Sequence, residues 1–216
     1  MSNPLPTLYL ARHGETAWSL SGQHTGLTDL PLTPRGEQNA RALQPRLSRM
    51  SFGKVFTSPL QRARRTCALA GFEDVAEIDG NLMEWNYGQY EGLTSAQIHA
   101  QRPDWVLFRD GCPGGESPEQ VAARADAVVS RVRAAHGDVL VFSSGHFLRV
   151  LAARWLGLGV NAASYVLLST ASLSALSYEA RLTAPVIRLW NDTSHLDHAA
   201  AAGAGTPQTT ATASTT

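Results

Sequence analysis

Cysteine is nearly absent from this chain: only Cys67 and Cys112 occur in 216 residues. Neither belongs to a CxxC or to Cys/His ligand spacing, which argues against a disulfide framework or a zinc module and makes a reducing, cytoplasmic compartment the default. A dominant charge is lacking too. Lys+Arg and Asp+Glu both number 18, so there is no general attraction to nucleic acid or membrane surfaces. No apolar run approaches the roughly 20 residues a spanning helix needs. The opening Met1-Ser2-Asn3-Pro4 lacks the charged and apolar regions of a signal peptide. What is present is an ordinary globular composition, 44% hydrophobic and 17% charged, enough for one sizeable soluble domain.

Strand and helix patterns alternate along residues 1–198. Strands are expected at 7–12, 54–57, 74–78, 139–142, 173–178 and 186–190, from short apolar or β-branched runs bounded by turn residues. Helices are expected at 34–49, 60–70, 117–135 and 147–156. The first has Thr33 as N-cap and Pro34 in its first turn, and the third carries an apolar face of Val121, Ala125, Val128, Val129 and Val132. This order implies an α/β fold, a three-layer αβα sandwich around a mostly parallel sheet. Residues 199–216 contain only Ala, Gly, Thr, Ser, Gln and Pro. Such a tail cannot bury a core and is expected to be disordered.

Chemistry-bearing residues gather at strand ends. Arg12 and His13 close the first strand, where open α/β sheets place their ligand sites. An imidazole beside a cation there suits an anionic substrate, with the histidine as nucleophile or proton carrier. His146 follows the strand 139–142 as His13 follows the first, and Gly145 permits a sharp turn before it. Arg62 stands in the first turn of a helix that also starts at a strand's carboxyl end, where its guanidinium can fork onto phosphate oxygens. Arg64 and Arg65 point elsewhere by helical geometry and read as surface charges. In Glu84-Trp85-Asn86-Tyr87-Gly88-Gln89-Tyr90-Glu91-Gly92, a carboxyl set among rings is poorly solvated and suited to deliver a proton to an alkoxide. Spacing alone does not rank Glu84 over Glu91. Trp85, Tyr87 and Tyr90 read chiefly as packing. A metal site at His195 and His198 has too few partners.

With Arg12-His13-Gly14-Glu15-Thr16, Ser58-Pro59-Leu60-Gln61-Arg62-Ala63, Glu84 through Gly92, and Ser144-Gly145-His146 in this order, the chain resembles the histidine phosphatase (phosphoglycerate-mutase-like) superfamily, from about residue 8 to 190. The resemblance implies that His13 takes the phosphoryl group covalently. It further implies a phosphate pocket of Arg12, Arg62 and His146, with Glu84 as proton donor. The loop Ser21 to Asp29 looks like the family's substrate loop, with Thr25 and Gly26 near the substrate. Two residues depart from the family pattern. Ser19 stands where many members have a pocket asparagine, and Ser144 stands where a histidine is common.

Finer motifs, Trp18-Ser19 to Asp29, Arg109 to Ser117 and Trp155 to Gly159, look similar to bacterial broad-specificity acid phosphatases and fungal-type sedoheptulose bisphosphatases. Mutases of the superfamily usually carry a basic residue just after the catalytic glutamate. Here Trp85 and Asn86 follow Glu84, which favours a phosphatase. The reading is thus a phosphomonoesterase for small phosphorylated metabolites, needing no metal or other cofactor. Neutral His13 attacks phosphorus while Arg12, Arg62 and protonated His146 balance the charge, and Glu15 orients the loop. The alternatives are a cofactor-dependent phosphoglycerate mutase, a sedoheptulose bisphosphatase and a non-catalytic phosphate-binding module. The expected partner is a small phosphate ester, with no nucleic acid or membrane, and a homodimer is left open.

Overall fold

The computed structural model describes residues 5–179 and 184–197. His198 and the low-complexity stretch 199–216 lie outside the described residues. The chain runs β1 (Leu8–Arg12), α1 (Ala17–Ser21), α2 (Pro34–Ala42), α3 (Gln44–Leu47), β2 (Lys54–Thr57), α4 (Gln61–Leu69) and β3 (Ala76–Ile78). It continues through α5 (Ser95–Gln101), α6 (Leu107–Asp110), α7 (Pro118–Arg133), β4 (Val139–Ser143), α8 (Gly145–Trp155), β5 (Leu173–Tyr178) and β6 (Pro185–Asp192). The strands form one sheet in the order β3-β2-β4-β1-β5-β6. β3, β2, β4 and β1 run parallel, whereas β5 and β6 are added antiparallel. The expected mostly parallel α/β sandwich is what the chain forms.

Side-chain alternation explains the layers. In β4, Val139 and Val141 enter a core shared with the valines of α7 and with Phe147, Leu151 and Trp155 of α8. Leu140 and Phe142 face the other way and pack with Leu43, Leu47 and Cys67. A strand buried on both faces, with period-2 alternation, must be covered by helices on each side. The expected apolar face of α7 is entirely buried and capped by Ser117, which accepts a hydrogen bond from the Gln120 amide.

The expected single helix at 34–49 is instead two, α2 and α3, joined at Leu43. Pro45 has no N–H to give the carbonyl one turn back, so the α-ladder cannot run through it. The expected strand 74–78 is shortened to Ala76–Ile78, because the amides of Val75 and Ala76 both turn back to the Phe72 carbonyl. Three short helices, α1, α5 and α6, occupy stretches with too few turns to show a hydrophobic period. No helix among the described residues is long and apolar enough to cross a membrane.

Candidate active site

β1 and β4 are parallel neighbours in register, with Arg12 opposite Ser143. Their carboxyl ends therefore release His13 and the Ser144-Gly145-His146 turn side by side. The His13 amide donates to the Ser143 carbonyl at 2.9 Å, and the His13 carbonyl accepts from the Ala171 amide at 3.0 Å. Ala171 itself holds a φ of 54°, a strained conformation for a residue with a Cβ. Its carbonyl accepts from His195 Nε2 at 2.8 Å. His195 is thus a buried donor bracing the loop beside His13.

The His13 ring is buried, and Nδ1 lies 2.7 Å from the Gly14 carbonyl oxygen. A carbonyl only accepts, so Nδ1 carries the proton and Nε2 keeps a lone pair. Burial, then the charges of Arg62 and Arg12, hold the ring's pKa well below the usual histidine value. The neutral ring is therefore favoured at physiological pH, with a lone pair on Nε2 available to attack an electrophile. Arg12 donates through Nη1 to the Leu168 carbonyl, while its buried Nε has no hydrogen-bond partner among the described residues. A Cβ on Gly145 would lie 3.1 Å from Cζ and Nε of Arg12. Glycine at that position lets the guanidinium rest against the start of α8.

Arg62 is completely buried, and its nitrogens reach backbone rather than open space. Nη1 donates to the Thr28 carbonyl at 3.0 Å, Nη2 to those of Thr25 and Gly26 at 3.0 and 2.9 Å, and Nε to Ser144 Oγ at 3.4 Å. It fastens the loop over the site while its charge acts on His13. Arg65 instead pairs with Glu37 on the surface.

The two carboxylates that spacing could not rank occupy different places. Glu84 Oε1 accepts from the amides of Trp85 and Phe147 at 2.9 and 2.8 Å, and Oε2 accepts from the His146 amide at 3.0 Å. The His146 and Phe147 amides are orphan donors of the kind every helix start leaves, here at α8. Oε2, with a single bond, retains a free lone pair. Glu91 Oε1 accepts from the amides of Gly26 and Thr28 at 2.8 and 3.1 Å, so Glu91 and Arg62 hold the same loop from opposite chemistry. Glu15 Oε1 accepts from Thr33 Oγ1 at 2.8 Å, anchoring the N-cap of α2.

A cavity of about 230 Å³ brings together Arg12, His13, Ser19, Thr25, Glu84 and His146. Arg62 and Gly26 stand behind it rather than in its wall. Ser19 Oγ donates to the Thr16 carbonyl at 2.9 Å and closes a capping box on α1, so its one hydrogen is engaged within the loop. Trp85 and Tyr90 pack in the core as expected, but Tyr87 lines the cavity. Sequence reasoning missed Arg149, His24 and Gln23, which also line it. Arg149 carried a usable signal, because it lies three residues after His146 and therefore on the same face of α8. Burial, then the charges of Arg149, His24 and Arg12, push the His146 pKa well below the ordinary value, which disfavours the imidazolium expected there. A larger hollow of about 450 Å³, lined by Glu37, Arg64, Arg65 and Cys67 among others, shares none of these cavity residues.

Residues 8–193 match the sequence profile of the histidine phosphatase superfamily, branch 1. The chain belongs to this superfamily. An acid phosphatase of Mycobacterium tuberculosis is 42% identical over 176 residues, covering 80% of this chain and 86% of that protein. A sedoheptulose 1,7-bisphosphatase of Saccharomyces cerevisiae is 38% identical over 197 residues, covering 74% of this chain and 71% of its own length. A solved chain from an M. tuberculosis open reading frame superposes with a TM-score of 0.81 at 39% identity, covering 86% of this chain and 97% of that one. This histidine phosphatase carries its strand-end histidines on a mixed α/β sheet. Its activity is that of a phosphatase acting on phosphorylated metabolites.

Proposed function

We propose that this phosphatase hydrolyses small phosphate monoesters by two in-line displacements through a phosphohistidine on His13. The observation that carries the reading is the His13 tautomer. Nδ1–H is committed to the Gly14 carbonyl, and the lone pair on Nε2 is left beside Arg12 in a cavity shared with Glu84 and His146. Nε2 attacks phosphorus, and the bond to the ester oxygen breaks. Arg12, whose buried Nε has no partner among the described residues, and a ring N–H of His146 stabilise the charge on the equatorial oxygens. Arg62 contributes its charge from behind the loop it fastens. Glu84 Oε2 gives its proton to the departing alkoxide and then, as a carboxylate, draws a proton from the water that cleaves the phosphohistidine. The positive charge the phosphoryl group needs is supplied by side chains. Thr25 and Ser19 border the substrate, and Glu91 and Arg62 set the position of Thr25.

The acid phosphatase and sugar bisphosphatase relatives support metabolite esters as the substrate class. Arg149 adds a second guanidinium to the cavity wall, which favours substrates bearing an anion besides the transferred phosphoryl group. The two cysteines are free and buried, which supports a reducing, cytoplasmic compartment. The test is a panel of sugar mono- and bisphosphates, phosphorylated glycolytic acids and an aryl phosphate, ranked by kcat/KM from released phosphate. Phosphate released from several metabolites without added cofactor is expected. Phosphate moved between positions of phosphoglycerate, and only with bisphosphoglycerate present, would make the protein a mutase instead.

The pH profile has a definite sign. His13 attacks when neutral, and its lowered pKa keeps it neutral through and below the ordinary histidine range of about 6.5. Activity limited by the nucleophile is lost only as pH falls through that lowered value. On an aryl phosphate, whose leaving group needs no proton, kcat is expected to change less than about threefold between pH 7 and pH 5.5. An unshifted histidine would lose roughly eightfold over the same interval, and that result would contradict the electrostatics described here.

A further inference from the structure

Tyr87 is buried, lines the cavity, and places its hydroxyl 2.5 Å from Nδ1 of His146. No step of the mechanism above uses it. A phenol always carries one hydrogen, and among the described residues this hydroxyl makes no other hydrogen bond. If His146 Nδ1 were the donor, the Tyr87 hydrogen would be left buried and unpaired, which costs about 1–3 kcal/mol. With the hydroxyl as donor, Nδ1 is the acceptor and both atoms of this pair are satisfied. Burial also keeps the phenol protonated and the imidazole neutral. The rings of His24 and Phe108, with centroids 5.8 and 5.4 Å away, flank the imidazole.

We infer that Tyr87 is a positioning residue that holds neutral His146 as its Nε2–H tautomer, so that His146 serves the phosphoryl group as a hydrogen-bond donor and not as a cation. This rests on the phosphatase reading above and assigns the proton that reading needs. The two histidines are then complementary. A carbonyl below His13 forces its Nε2 to be a lone pair, and a phenol beside His146 forces its Nε2 to be a donor. Two neutral imidazoles, set in opposite tautomers by opposite partners, act as nucleophile and as electrophile. No proton moves between Tyr87 and His146 during turnover.

Nitrogen NMR of the ¹⁵N-histidine-labelled protein reads this directly and needs no turnover. In the wild type, His146 is expected to show an unprotonated Nδ1 and a protonated Nε2, with the reverse pattern at His13. A protonated Nδ1 at His146 would overturn the inference, whatever the substrate proves to be. Tyr87→Phe should broaden or split the His146 nitrogen signals and lower kcat by roughly tenfold, with KM moving much less. In a His146→Ala background the same substitution should cost almost nothing more, because its effect passes through the imidazole. An equal loss in both backgrounds would mean that Tyr87 acts on folding or on the substrate directly, and would also overturn the inference. Absence of turnover in the wild type, with the expected tautomers seen, would instead count against the phosphatase reading.

Discussion

His13→Ala should abolish turnover, with kcat falling by at least about 10⁴-fold because no other group can form the covalent intermediate. The fold should survive. The ring makes one hydrogen bond, to the Gly14 carbonyl, and a typical net bond is worth about 1 kcal/mol. A drop of only a few degrees in Tm is therefore expected for a chain of this size. Rapid acid-free quenching of the wild type with labelled substrate should trap phosphate that is acid-labile and base-stable, as a phosphoramidate is. The nearby serines are poor rivals. Ser143 Oγ donates to the Leu82 carbonyl and Ser58 Oγ accepts from the Leu60 amide. Ser144 Oγ accepts from Arg62, and none of the three lines the cavity. Acid-stable label on any of them would remove His13 as the nucleophile.

Glu84→Gln should separate substrates by leaving group. Alkyl phosphates depart as strongly basic alkoxides and should lose roughly 10³-fold in kcat, near the middle of the range for general acid catalysis. Aryl phosphates need little protonation and should lose about tenfold or less. The substitution has a structural cost that can be counted in advance. The amide oxygen can replace Oε1, which accepts from two backbone amides, but the NH₂ then faces the His146 amide in place of Oε2. One clash of donors at the start of α8 costs about 1–3 kcal/mol, so stability must be measured alongside activity. Equal losses on both substrate classes would mean that Glu84 only caps the helix. Glu91 is the control, since its carboxylate holds Gly26 and Thr28 and its loss should act through substrate binding.

Much of the architecture was legible because burial on two faces leaves a strong trace. The five residues of β4 are all buried, and a short uninterrupted apolar run is what such a strand must be. The same holds for α7, whose apolar spacing matches its buried face. The elements that were missed, α1, α5 and α6, have 5, 7 and 4 residues. α1 and α5 are held by capping boxes, and α6, with Leu107 and Phe108 buried, by its neighbours, more than by an amphipathic stripe. The break at Leu43 was written in Pro45, but the start signals Thr33 and Pro34 say where a helix begins and not where it ends.

At the site, the sequence alone determined which residue types were available and that two histidines follow two strands. It did not determine what each would do. Adjacency of β1 and β4 is a property of the sheet order, and only that order sets His13 beside His146 across 133 residues of chain. Glu84 and Glu91 are equivalent as a pattern. They differ because one meets the free amides of α8 and the other meets the loop at Gly26. That Arg62 lies buried against the carbonyls of Thr25, Gly26 and Thr28 and the Ser144 hydroxyl, with its charge felt at His13, is set by how the loop folds over α4. The proton on His146 was expected from chemistry. A second proton there is disfavoured by desolvation and by the charges of Arg149, His24 and Arg12, which adjoin the ring only in the folded chain. Identity and order of residues are local properties of a chain, whereas charge state and tautomer depend on what surrounds a group in space, and only the tertiary structure supplies those surroundings.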